Sequence, residues 1–138
     1  MTTQNPTGHF AQAQAFVGMP YVPGQFDCAD LAVRVQRDIF GRAIALPAHG
    51  HTRQAQGAQI QALRLDLAQP VDAPHTGCAV VLTRGDSAGT LWHIGTVFVD
   101  SLQTWVLHNS QHLRSAALQR LDWLQRTGFV VEGYYQWK

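Results

Sequence analysis

Charge is scarce in this sequence. Only 14% of the 138 residues are Asp, Glu, Lys or Arg, against a usual ~25%, and Lys138 is the single lysine. Ten basic and nine acidic residues leave a formal charge of +1. Without clustered Lys and Arg to neutralise phosphates, a nucleic-acid partner is not expected. No apolar run approaches the ~18–20 residues of a membrane span. Cysteine is also scarce: Cys28 and Cys78 are too few for a disulfide scaffold. Between Met1 and His9 no basic stretch precedes an apolar one, so a secretory signal peptide is not expected. That predicts synthesis in the cytoplasm, with both cysteines as thiols. Action in the periplasm or cell wall would need another delivery route: a partner, a phage particle or a secretion machine.

What remains is ordinary globular material. The apolar fraction is 46%, too high at this low net charge for intrinsic disorder. The fifteen glutamines are dispersed. With no repeat or linker, the length predicts one domain over residues 1–138.

Helix signals fill the first half. Asn5 can cap a helix opened by Pro6 and stopped at Gly18,. The clearest helix follows an ordered loop from Tyr21 to Phe26. Asp27 caps it, Asp30 stands three residues on, Cys28, Leu31, Ala32, Val35 and Ile39 form one stripe, and Gly41 ends it,. A third helix is predicted from Thr52 to about Leu63. After Pro74 short strands take over: Cys78 to Leu82, Leu91 to Val99, Thr104 to His108, and Phe129 to Trp137, with a helical turn at Asp122 to Arg126,. Helices followed by consecutive antiparallel strands make an α+β layout.

Cys28 falls in the first turn of its helix, where exposed N–H groups and the helix dipole favour a thiolate. Asp27 and Asp30 oppose a second anion there, so a nucleophilic Cys28 needs an imidazolium partner. A Cys in this place can equally be a small buried hydrophobe. His93 shares a strand face with Gly95 and Val97, which leaves room for a partner. If the following hairpin centres between Ser101 and Leu102, His108 is its diagonal neighbour on that face. A one-residue slip would bring Asn109 there instead, and patterning leaves both registers open. Cys78, in an apolar strand, reads as structural. His49 and His51 lack a nearby carboxylate or Cys and read as a solvated loop rather than a metal site. Arg84 and Asp86 read as a surface turn.

Three motifs, in order, resemble the NlpC-type cysteine peptidases, papain-like enzymes of bacterial cell walls. Gly18-Met19-Pro20-Tyr21 followed by Phe26-Asp27-Cys28-Ala29-Asp30-Leu31 is similar to the nucleophile region. His93-Ile94-Gly95-Thr96-Val97-Phe98 is similar to the base strand, and Val106-Leu107-His108-Asn109-Ser110 to the third motif. Roughly residues 8 to 138 are covered. Ala29-Asp30 replaces the usual Ser-Gly, the loop between Tyr21 and Cys28 is short, and Gly77-Cys78 stands where Gly-Asp is common. These departures mark a divergent member.

The resemblance implies a papain-like fold, N-terminal helices packed on a C-terminal antiparallel sheet, with no cofactor. It implies Cys28 as nucleophile, His93 as base, His108 as orienting residue and Tyr21 beside the oxyanion, with Asn109 as the alternative third member. The implied reaction is cleavage of an amide in peptidoglycan stem peptides, of the D-glutamyl–diamino acid type. Implied partners are the peptidoglycan peptide and a delivery machinery, phage particle or inhibitor protein. An amidase or acyltransferase acting on another small amide, and a non-catalytic virion or tail module, are the alternatives. A working Cys28 is expected to alkylate fast near neutral pH.

Overall fold

The structure, a computed structural model, describes residues 6–46, 50 and 52–138. Four helices, α1 (Pro6–Gln14), α2 (Cys28–Phe40), α3 (Arg53–Asp66) and α4 (Leu121–Arg126), accompany a six-stranded antiparallel sheet. Its strands are β1 (Ala68–Val71), β2 (Ala79–Asp86), β3 (Gly89–Asp100), β4 (Gln103–Ser110), β5 (Ser115–Arg120) and β6 (Val130–Trp137). The class is α+β, as expected. The cap expected of α2 forms, and Thr52 caps α3 by accepting from the Ala55 N–H, whereas Asn5, the expected cap of α1, lies outside the described residues.

The cap on α2 fixes the position of Cys28. The Asp27 carboxylate accepts from the N–H groups of Ala29 (3.1 Å) and Asp30 (3.3 Å), and Asp30 accepts from the Asp27 N–H (3.0 Å). Two orphan donors of the first turn are thereby satisfied reciprocally, and Cys28 becomes the first helical residue. Gly41, at φ 69°, closes the other end in a left-handed cap,.

The strand order departs from the consecutive one expected: β1-β6-β2-β3-β4-β5, with β6 inserted between β1 and β2. β1 and β5 were not expected at all. On one face, Ala79, Val81 and Ile94 pack with Ala29 and Ala32 of α2 and Ile60 and Leu63 of α3. Phe98 and Leu107 pack with Ala13 of α1 and Leu31 and Val35 of α2. On the other face, Val80, Leu82, Val97 and Val106 pack with Leu121 and Leu124 of α4.

The sheet carries a fork. β3 and β4 pair from Asp100↔Gln103 to Thr96↔Leu107. Before Thr96 the ladder partner of β3 is β2, and beyond Leu107 that of β4 is β5. The hairpin therefore takes the register centred on Ser101 and Leu102. Both turn residues have positive φ, 52° and 65°, the geometry that Asn-Gly fills most readily. Leu102 is 98% exposed and packs against nothing there, so Leu102→Gly is expected to stabilise the fold by about 0.5–1 kcal/mol. A urea midpoint no higher than that of the parent would contradict this.

Candidate active site

The fork brings the singled-out residues to one place. Cys28 enters from the first turn of α2, His93 from β3, His108 from β4 and Tyr21 from the loop before α2. All four line a cleft of about 700 Å³, within the range of small-molecule sites.

His93 Nε2 and His108 Nδ1 lie 2.8 Å apart, the rings nearly perpendicular at 85°. His108 Nε2 lies 2.8 Å from Gln119 Oε1 on β5. Gln119 stands opposite Val106, on the strand where His108 faces Ala117, so it is a diagonal neighbour of His108. The amide oxygen only accepts, so His108 Nε2 carries its proton and Nδ1 is a lone pair. That lone pair requires His93 Nε2 to donate, which leaves His93 Nδ1 as a free base. Gln119 thus sets the tautomer of both rings. Gln119→Leu is expected to release both rings from this tautomer, read as a change in the ring nitrogen NMR shifts of His108 and His93. Gln119→Glu, which keeps the acceptor, is expected to preserve the tautomer; loss of the fold in both variants would count against this role.

Asn109, the alternative third residue, points the other way. Its Nδ2 donates to the carbonyls of Phe26 (2.8 Å) and Asp27 (3.3 Å). β4 therefore turns His108 to the His93 ring through one face and clamps the loop before Cys28 through the other. Tyr21 is held by α3: its hydroxyl accepts from Gln56 Nε2 at 3.1 Å, and the same nitrogen lies 3.4 Å from Asp27 Oδ2. The Tyr21 O–H is left to donate toward the cleft. Neither Gln56 nor Gln119 has a distinguishing local signal among fifteen glutamines.

The electrostatics depart from expectation. Burial, and then the Asp27 carboxylate, push the Cys28 thiol up to about 12. The Ile94 N–H, on the stretch of β3 that β4 no longer covers, favours the anion without offsetting this. His93 is held well below the usual imidazole range, chiefly by burial and then by His108 and Arg84. No hydrogen bond joins Cys28 to His93 among the described residues. Burial thus favours the neutral thiol and the neutral imidazole over the thiolate–imidazolium pair.

Burial lowers His108 as well, which makes the fold acid-sensitive. In the unfolded chain both rings bind protons below about pH 6.5, while in the fold they resist. Their contribution to stability is complete above that value and is lost as pH falls toward the folded pKa, at up to about 1.4 kcal/mol per ring per pH unit. Urea midpoints between pH 7.5 and 5 should fall, and His108→Gln should flatten the slope. A midpoint independent of pH would refute it.

Three readings of the sequence change or find their place here. Arg84 and Asp86 stand at the end of β2 by its hairpin, with Asp86 exposed as expected of a surface turn, and both also border the cleft. Cys78 is 1% exposed, and burial raises its thiol too, which agrees with a structural residue. His49 and His51 lie outside the described residues, and no group of metal-ligating side chains forms among the described residues. No described helix is long and apolar enough to cross a membrane. Compared with protein-family models, with curated proteins and with solved structures, the chain finds no match.

Proposed function

We propose that this protein is a papain-like thiol hydrolase that cleaves an amide, with Cys28 as nucleophile, His93 as base and His108, backed by Gln119, as the orienting residue. The observation that carries this reading is the chain from Gln119 through His108 to His93 at 2.8 Å per link, ending in the cleft that Cys28 lines. An oriented base that shares a cleft with a cysteine at a helix N-terminus supplies the groups that acyl transfer to sulfur requires,.

Burial disfavours both ions, and attack begins as proton transfer from Sγ to Nδ1 of His93. The sulfur bonds to the carbonyl carbon, and its charge passes to the carbonyl oxygen, for which the Tyr21 hydroxyl is the side-chain donor at hand. His93 returns the proton to the leaving amine, and water then releases the acyl group. The resemblance in the three motifs supplies the substrate class, an amide of peptidoglycan stem peptides of the D-glutamyl–diamino acid type. The experiment is incubation of purified protein with peptidoglycan fragments and mass spectrometry of the products. A mass gain of one water split between two fragments, dependent on Cys28, supports the proposal, and unchanged fragments refute the substrate.

The raised thiol favours a second reading, a binding module that keeps the cleft without turnover. Intact fragments retained by the protein, rather than cut, would support that reading.

A further inference from the structure

We propose that Arg84 forms a carboxylate subsite in the cleft, so that the amide taken by this protein carries a carboxylate a few bonds from the scissile carbonyl. The second half of this statement rests on the hydrolase reading; the anion site itself does not.

Arg84 is held in place. Its stem packs over Gly128, where a Cβ would come within 3.3 Å of Arg84 Cδ. Its guanidinium carbon lies 4.5 Å from the centre of the Phe129 ring. That ring in turn stacks on His93, 5.5 Å between centres and 29° between planes. The two legs place the guanidinium no more than about 10 Å from the base. A guanidinium laid on a ring keeps its N–H edges free, and those edges fit a carboxylate.

Arg84 also makes no ion pair of its own, although its field reaches the Asp86 carboxylate. Arg53, the other arginine lining the cleft, pairs with Asp86 at 2.9 Å. Arg34, Arg37, Arg64, Arg120 and Arg126 each pair with a carboxylate elsewhere. Arg84 has no carboxylate within 4 Å among the described residues. A single unpaired guanidinium, with no second free cation of the cleft beside it, suits one carboxylate better than a phosphate.

Placing a cation there has a cost for the free protein. Arg84 disfavours protonation of His93, though less than burial and His108 do, and a base that must accept a proton from sulfur is thereby weakened. A carboxylate seated on Arg84 cancels that field. Substrate binding would then raise the basicity of His93 at the moment it is needed.

The test uses the full-length Cys28→Ala protein and two small probes that differ in one group, N-acetylglycine and N-acetylglycinamide, followed by NMR of the His93 and Phe129 rings. N-acetylglycine should shift both rings saturably, bind at least about tenfold tighter than the amide, and raise the pH at which His93 titrates. Arg84→Gln should abolish the preference, Arg84→Lys should keep part of it, and Arg126→Gln should leave it intact. Equal binding of the two probes, no saturable shift by either, or a preference that survives Arg84→Gln would each overturn the subsite. Because no turnover is measured, a protein that fails to cleave peptidoglycan fragments can still pass this test, and a protein that cleaves them can fail it.

Discussion

Cys28→Ala is expected to leave a folded protein with no detectable turnover of any amide that the parent cleaves. The substitution removes the atom that bonds to carbon, and with it both halves of the acyl-transfer cycle. The side chain is buried, 5% exposed, against Ala32, Val81 and Ile94, but it is small, so the expected destabilisation is about 1 kcal/mol. His93→Ala should reduce the rate by about 10²–10⁴-fold, the usual worth of a positioned general base. Its pH signature is what separates base from packing. With the parent, kcat/KM should fall below the pH at which His93 becomes protonated, and this acid limb should vanish in His93→Ala. Residual turnover by well-folded Cys28→Ala at the parental rate would end the thiol mechanism. An unchanged acid limb in His93→Ala would assign the base to another residue.

The second large effect is expected at a residue with no functional group. A Cβ on Gly95 would overlap the Val106 side chain and stand 3.1 Å from the Leu107 carbonyl and 3.2 Å from His108 Cβ. Val106 and Leu107 are buried, so neither can swing away. Relief requires β4 to back off from β3 just where the 2.8 Å link between the two rings is made. Gly95→Ala is therefore expected to cost about 1–3 kcal/mol, to lower Tm by roughly 3–15 °C, and to reduce turnover in the surviving folded fraction at least about tenfold. Gly85→Ala, with open space around its Cβ, is the matched control. A Gly95→Ala protein as stable and as active as the parent would show that the relay tolerates a wider strand spacing than the geometry implies.

The legible parts of the molecule were those written in local chemistry. Asp27 with Asp30, and Gly41, mark the ends of α2 because capping is decided within a few residues. The shared face of His93 and His108 follows from strand alternation once the register is known. The two strands that escaped notice have weak local signals. Pro70 interrupts β1, which is tolerable because β1 is an edge,. β5 reads Ser-Ala-Ala-Leu-Gln-Arg, a poor strand sequence in isolation, held by its pairing to β4,. Missing β5 concealed Gln119, since a diagonal neighbour cannot be found on an unrecognised strand. Asn109 is the sequence's rival to His108, but the alternation that turns it away from the His93 ring places it on the loop before Cys28. Its loss is therefore expected to act through Cys28. The burial that disfavours charge on Cys28 and His93 lies beyond sequence reading altogether, because it is a property of the assembled fold.

The fork in the sheet has a mechanical consequence. One half of the sheet, β1-β6-β2-β3, carries His93; the other, β4-β5, carries His108 and Gln119. Within the sheet the two halves share only the five residue pairs from Asp100↔Gln103 to Thr96↔Leu107, like a zip closed from one end, with α2 and α4 packed across the closed part. The imidazole link is the last tooth beyond the closed part. Any force that spreads the halves, whether thermal breathing or a bulky group pressed into the cleft, loads that tooth first, so the His93 ring loses its partner before the sheet loses a backbone pair. Separation of the two rings on warming should accordingly precede loss of β structure, and the distance between those two events measures how tightly the zip is held.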